Sequence, residues 1–290
     1  DARERCTRNR RREPADVSKK SSMENSRFDV AIIGAGIAGL SMADDLLNRG
    51  LSASIIDKSA PGSGSSGAPL VLINPATGRR ARMVAHADKC ISLVTDLMKR
   101  VQAFSGITFF EKTGILRPAL TEELAEDFSR SPNKYDWPDS NWIKWIEKSQ
   151  FKESYAYVGE NYGGLILPNG YTVNTPLYIK HLSDYLISRG LDARFRADTS
   201  VKKTSTGTYI ISLSNGSEIE ADKVVYATGS SVKDDPIWNF LPFKTTKGQL
   251  LDLLFESAPA IDHSISSMGY FAYQPSEHNR LVVGSIYEHS

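Results

Sequence analysis

Apolar positions change their period several times along the chain, and each change predicts an element. Residues 28–33 are apolar at every position but Asp29, the pattern of a strand buried on both faces of a parallel sheet. Leu40, Ala43, Leu46 and Leu47 then recur at helical spacing, which predicts a helix over about 38–49 with Gly50 as its C-cap. A second apolar run, 53–57, ends on Asp57. Further helices are expected at about 83–104, at 121–130 with Glu122 and Glu123 in the first turn, and at 175–188. In the last of these Thr175 is the candidate N-cap and Pro176 occupies the first helical position. Residues 137–151 place Trp142, Trp145 and Ile146 on one helical face, a pattern for packing between lobes. Strands are expected at 109–116, 163–167, 193–195, 200–204, 209–212 and 222–227, with Asn215-Gly216 as a hairpin turn.

The junction between the first strand and helix carries the chemistry. Gly34-Ala35-Gly36-Ile37-Ala38-Gly39 is G-x-G-x-x-G in its full context, strand before and helix after, and Asp57 follows at the end of the next strand. Gly34 permits the tight turn, Gly36 lets the backbone approach a pyrophosphate at the positive end of the helix, and Gly39 lets helix and strand pack closely. Asp57 is placed to hydrogen-bond a ribose. The Ser/Gly-rich stretch 61–69 directly follows that acid, at the carboxyl edge of the sheet where ligands bind, so it reads as a ligand loop and not as a linker.

With 290 residues and 40% hydrophobic composition the chain can form two lobes around real cores. No apolar run approaches the length of a membrane-spanning helix. Two cysteines, Cys6 and Cys90, make no disulfide framework and fit a reducing, cytoplasmic compartment. The net charge of +1 is uneven: residues 1–20 hold eight basic against four acidic side chains, which leaves 27 against 30 for the body. Residues 1–26 are expected to be a disordered basic arm, with Met23 as the natural start and the residues before it foreign to the protein. A body close to neutral does not read as a dedicated nucleic-acid binder. The histidines at 86, 181, 263, 278 and 289 show no metal-ligand spacing, and His86 with Asp88 reads as a solvated loop pair.

Four passages together resemble the D-amino-acid oxidase/glycine oxidase family of FAD-dependent oxidoreductases. They are 33–40 with Asp57; 163–176, from Gly163-Gly164-Leu165 to Asn174-Thr175-Pro176; 224–229, ending Ala227-Thr228-Gly229; and Thr246-Lys247-Gly248-Gln249-Leu250 followed by 280–285. The resemblance implies an α/β fold: a Rossmann-like FAD-binding domain, with a parallel sheet, helices and an inserted antiparallel hairpin, plus a smaller, mainly antiparallel β substrate lobe. The expected division is 27–100 and 155–235 for the flavin domain, 101–154 and 236–290 for the substrate lobe. It implies that Gly34, Gly36, Ile37, Ala38 and Gly39 carry the backbone around the pyrophosphate, that Asp57 holds the adenosine ribose with Lys58 beside it, and that Ser65, Ser66, Leu70, Val71 and Leu72 line the stretch from phosphate to flavin. Val201 matches the backbone position that brackets adenine, and Thr228 and Gly229 close over the dinucleotide. Tyr270 matches an aromatic that holds the substrate carboxylate, with Tyr273 as the fallback.

The implied reaction takes a hydride from the α-carbon of a small amine or amino acid to FAD, the imine is hydrolysed by water, and oxygen or a quinone accepts the electrons. In the family a further stretch after the strand 281–285 supplies a carboxylate-binding arginine and a glycine-rich turn against the flavin; Arg79 and Arg80 are in the wrong place to substitute. The chain is therefore expected to be a fragment, poorly soluble and with impaired turnover. The glycines alone also fit an NAD(P)-dependent dehydrogenase, and the chain read literally fits a non-catalytic FAD-binding protein. An oxidase acting on a modified tRNA wobble uridine shares these motifs and ranks below a small-molecule amine because the body is not basic.

Overall fold

The structure, a computed structural model, describes residues 26–288. The expectations for the basic arm, Cys6 and Met23 fall on residues outside this range. Strand β1 (Ser26–Ile33), helix α1 (Ile37–Asn48) and strand β2 (Ala53–Asp57) form the expected βαβ opening, with Val30 opposite Ala53 and Ile33 opposite Ile56 in parallel register. Asp192–Phe195 pairs on the far side of β2, and Glu218–Tyr226 pairs with β1, both parallel. Tyr209–Leu213 and Thr199–Lys203 then continue the same sheet antiparallel, giving six strands. This is the α/β fold with an inserted antiparallel hairpin that the sequence predicts.

Alternation along β1 divides the core. Val30 and Ile32 face α1, helix α2 (Ala87–Ser105) and the helix Thr175–Ser188, among Leu40, Met98, Val101 and Leu182. Ala31 points to the other face, among Ile56, Ile211 and Ile219. Period-2 alternation with both sides filled is why β1 reads as a nearly unbroken apolar run.

The second lobe is a seven-stranded sheet in the order Lys247–Leu254, Glu277–Glu288, Tyr270–Gln274, Ser264–Ser266, Ile115–Pro118, Gly164–Leu167 and Lys144–Ile146. Its ladders are antiparallel except between Ser264–Ser266 and Ile115–Pro118. A three-stranded sheet of Val71–Ile73, Tyr171–Val173 and Phe110–Glu111 lies between the lobes, with Val71, Ile73, Val173 and Phe110 on the helix-side core.

Several local expectations differ from the structure. The strand expected over 109–116 is two short strands, Phe110–Glu111 and Ile115–Pro118, in different sheets, and the helix expected from 83 starts at Ala87. Trp145 and Ile146 lie on a strand, Trp145 opposite Leu165, and a helix begins only at Lys148. Three aromatic and apolar residues in five positions fit either period, and pairing with Gly164–Leu167 decides for the strand. The helix Thr175–Ser188 is capped by Asn174, whose side chain accepts from the Leu177 amide at 3.1 Å; Thr175 is inside the helix and buried. Gly164–Leu167 belongs to the seven-stranded sheet, although it falls in the 155–235 segment drawn for the flavin domain. Among the described residues no helix is long and apolar enough to cross a membrane.

Candidate functional site

The glycine loop sits between the ends of two flanking strands. The Gly34 amide donates to the Ile56 carbonyl at 2.7 Å, and the Ala227 amide donates to the Ile33 carbonyl at 2.8 Å, so Ala227-Thr228 closes beside the loop. Gly34 has φ +110°, and a Cβ there would collide with the Ala227 carbonyl oxygen. A Cβ on Gly39 would collide with the Gly34 carbonyl oxygen, so only glycine lets α1 approach β1 this closely.

α1 starts at Ile37 from Gly36, which gives it no side-chain cap, and its first turn holds no acid. The positive end of the helix dipole is thus left for a ligand anion. Ser66 reaches in from the short 3₁₀ turn Ser65–Gly67, and its Oγ accepts from the Ile37 amide at 3.1 Å. At the tip of β2, Asp57 takes the Ala35 amide on Oδ2 at 2.7 Å and the Ser59 amide on Oδ1 at 2.8 Å. Both carboxylate oxygens are held in place, and each retains the capacity to accept a further donor. Lys58 Nζ donates to Ser231 Oγ at 3.3 Å, linking the end of β2 to the 3₁₀ turn Gly229–Asp234 that Thr228 begins.

A dinucleotide cofactor fits this cradle: a glycine-entered helix N-terminus, with Ser66 on its first amide, for a pyrophosphate, and an oriented carboxylate where its ribose would lie. The structure therefore brings Gly34, Gly36, Ile37, Ala38, Gly39, Asp57, Lys58, Ser66, Thr228 and Gly229 around one crevice. Ser65 opens the 3₁₀ turn and is exposed. Leu70 is fully buried, and Val71 and Leu72 run on from it in the interlobe strand paired with Tyr171–Val173.

Val201 follows the segment in which the Ala197 amide donates to the Asp57 carbonyl at 3.1 Å. It lies in the middle of Thr199–Lys203 opposite Ile211, at the edge of the sheet, and packs against the cluster of Ala31, Ile211 and Ile219. The tyrosines separate by strand alternation. Tyr270 faces the first lobe, where its hydroxyl donates to the Leu70 carbonyl at 2.7 Å. Tyr273 projects from the opposite face and donates to the Pro259 carbonyl at 2.8 Å; burial and the neighbouring Asp262 raise its pKa. Its contacts hold the loop 255–262 and leave it no path to the segment that Tyr270 touches.

Two residues at this site carry no sequence signal. Gln274, almost fully buried, donates from Nε2 to the Pro69 carbonyl at 3.0 Å. Arg117, also buried, donates to the carbonyls of Ala76 at 2.6 Å and Gly78 at 2.7 Å and lies over the Phe128 ring at 4.9 Å. It holds the hairpin that follows the Leu70–Leu72 segment, and burial lowers its pKa to about 10. Both residues act on backbone atoms some 40 to 205 positions away, which neither periodicity nor motif can register.

The chain is similar to the tRNA 5-methylaminomethyl-2-thiouridine biosynthesis bifunctional protein MnmC of Thiobacillus denitrificans, 26% identical over 261 residues that cover 90% of this chain and 41% of that protein. It spans about two fifths of the length of such relatives. In fold it is similar to glycine oxidase from Geobacillus kaustophilus, with a TM-score of 0.78, 21% identity, and coverage of 91% of this chain and 72% of that one. It is likewise similar to L-proline dehydrogenase from P. horikoshii, with a TM-score of 0.71, 18% identity and coverage of 90% and 71%. Residues 29–290, which include the glycine loop, Asp57 and the Tyr270–Gln274 strand, match the family described as DAO, FAD dependent oxidoreductase, and the chain belongs to that family.

Proposed function

We propose that this FAD-dependent oxidoreductase oxidises the C–N bond of an amine whose carbon carries a carboxylate, as in a small amino acid. The observation that carries the reading is the meeting of the two lobes at one segment. Pro69 and Leu70, between the phosphate crevice and the interlobe strand, are gripped from the second lobe by Gln274 and Tyr270. The flavin end of a cofactor laid from Asp57 past Ser66 would then be roofed by the antiparallel sheet, leaving a site closed between the lobes. Bound FAD supplies the two-electron acceptor. The chain's own part is to hold the pyrophosphate at α1, orient the ribose by Asp57 and exclude water from the reacting carbon with the Tyr270–Gln274 strand. Oxygen or a quinone takes the electrons onward. The named activities of two fold neighbours, on glycine and on L-proline, support a substrate with nitrogen beside a carboxylate.

A second reading has its own support. The curated relatives are named for tRNA 5-methylaminomethyl-2-thiouridine biosynthesis, which supports an amine carried on a modified uridine of tRNA. The exposed side chains of Arg79, Arg80 and Arg82, on the hairpin beyond the flavin-lining segment, offer that substrate a basic rim.

The two readings separate in one anaerobic experiment. FAD-loaded protein is mixed with glycine, L-proline or tRNA bearing an aminomethyl-modified uridine, and loss of the oxidised flavin absorbance is followed. Bleaching by a free amino acid supports the first reading, and bleaching by the tRNA alone supports the second. A flavin left oxidised by every amine would sink both.

A further inference from the structure

Gln274 sits at an irregular point of its strand. Tyr270–Tyr273 pair in step with Gly284, Val283, Val282 and Leu281, but Gln274 is opposite Glu277, so the register shifts immediately before it. The unmatched residues lie on the partner strand between Glu277 and Leu281, so strand alternation keeps Gln274 on the face of Tyr270 and Ala272. Its carboxamide enters the seam between the lobes, where the residue is 3% exposed. The amide orientation is fixed: Nε2 meets the Pro69 carbonyl, and the flipped amide would set two carbonyl oxygens against each other. Oε1 is buried with no partner, so the side chain is held there for its single donor contact to Pro69.

That contact does not stand alone. Tyr270, on the same face, donates to the next carbonyl, Leu70, and Ala272 between them packs on Leu70. Further along the seam the Ser276 amide donates to Glu111 Oε1 at 2.9 Å, and His278 Nε2 lies 3.1 Å from Glu111 Oε2. The second lobe thus fixes the backbone of 69–70 at two successive carbonyls.

We infer that Gln274 is a positioning residue for the flavin: through Pro69 it sets the placement of the flavin-lining segment 69–72, and so the electronic surroundings and residence of the bound cofactor. The inference rests on the FAD assignment and on no particular amine, and its test uses none.

Gln274→Met keeps the length of the side chain and removes the donor. Gln274→Glu keeps the shape, but its carboxylate can donate to Pro69 only when protonated. The FAD-loaded full chain and both variants are compared for rate of FAD release and position of the visible flavin band over a pH series. The parent, measured alongside, carries the background titration of Glu111 and His278. The expected result is release at least fivefold faster and a shifted band in Gln274→Met at every pH. Gln274→Glu should behave like Gln274→Met at neutral pH and return toward the parent as pH falls and its carboxyl gains a proton. Release and band positions equal to the parent in both variants would overturn the inference. So would a Gln274→Glu chain that tracks Gln274→Met at all pH values, since regaining the donor would then restore nothing. The pH series in Gln274→Glu is read within one folded chain, so it stands even if Gln274→Met folds poorly.

Discussion

At the scale of single residues, the site is legible wherever its chemistry depends on what a residue lacks or on the residues beside it. Gly34 and Gly39 have no Cβ, and the structure shows a carbonyl oxygen in the space each Cβ would fill. Gly34→Ala should therefore do more than remove a flexible link. A side chain at positive φ costs about 1 kcal/mol or more before the collision with Ala227 is counted. The expected outcome is a lower unfolding temperature and FAD affinity reduced more than tenfold, read by equilibrium dialysis; unchanged affinity would mean the cofactor does not approach this turn. Asp57→Asn should weaken FAD binding about tenfold, because one carboxylate oxygen becomes an NH₂ that cannot accept both its amide and a ribose hydroxyl. The sequence could not rank Tyr270 above Tyr273 with physical cause. That choice is made by strand parity, which sets one toward Leu70 and the other toward Pro259, and parity is known only once the strand's face is known. Val201 shows the same limit, because the resemblance supplies a backbone position and the sheet order puts it at an edge.

At the scale of elements, the helices were readable from period and caps, but the ties between them were not. Asp44 on α1, 8% exposed, receives Arg100 of α2 at 2.8 Å and Arg189, the C-cap of the helix Thr175–Ser188, at 3.0 Å. One buried carboxylate therefore joins the three helices that cover one face of the parallel sheet. Replacing it strands two cations, so Asp44→Ala should cost about 3–5 kcal/mol in denaturant unfolding, whereas Lys180→Ala in its exposed pair with Asp184 should cost under about 1 kcal/mol. Equal effects of the two would refute the buried knot. Arg117 ties a hairpin instead of a helix. Its two carbonyl acceptors need a planar fork, so Arg117→Met leaves both unsatisfied and Arg117→Lys reaches one of them. Freed from its tether, the stretch that holds Arg79, Arg80 and Arg82 should be cut by trypsin several times faster in Arg117→Met than in the parent. Equal cleavage rates would show that the hairpin holds itself.

At the scale of the whole molecule, the resemblance implies two interleaved lobes but not the strand order within each sheet. The parallel sheet takes strands from 26–57 and 192–226, and the larger sheet from 115–167 and 247–288, so the chain passes between lobes more than once. The position of one boundary is the part that composition does not give: Gly164–Leu167 is assigned to the larger sheet by its hydrogen bonds to Ile115–Pro118. The same topology leaves Lys247–Leu254 at the edge of the seven-stranded sheet. Leu250 turns inward against Leu70 and Val282, while Leu251 is 59% exposed and Leu254 77% exposed. An edge strand that exposes leucines is a template for pairing with another chain. The parent protein should therefore self-associate as its concentration rises, and Leu251→Lys with Leu254→Lys should keep it monomeric in light scattering. Because Leu251 and Leu254 are exposed and neither packs on the cluster of Leu70, Ala272 and Val282, the double variant should release FAD at the parent rate. A variant that lost FAD would place this edge in the cofactor site, and a variant that associated as strongly as the parent would remove the edge from the cause.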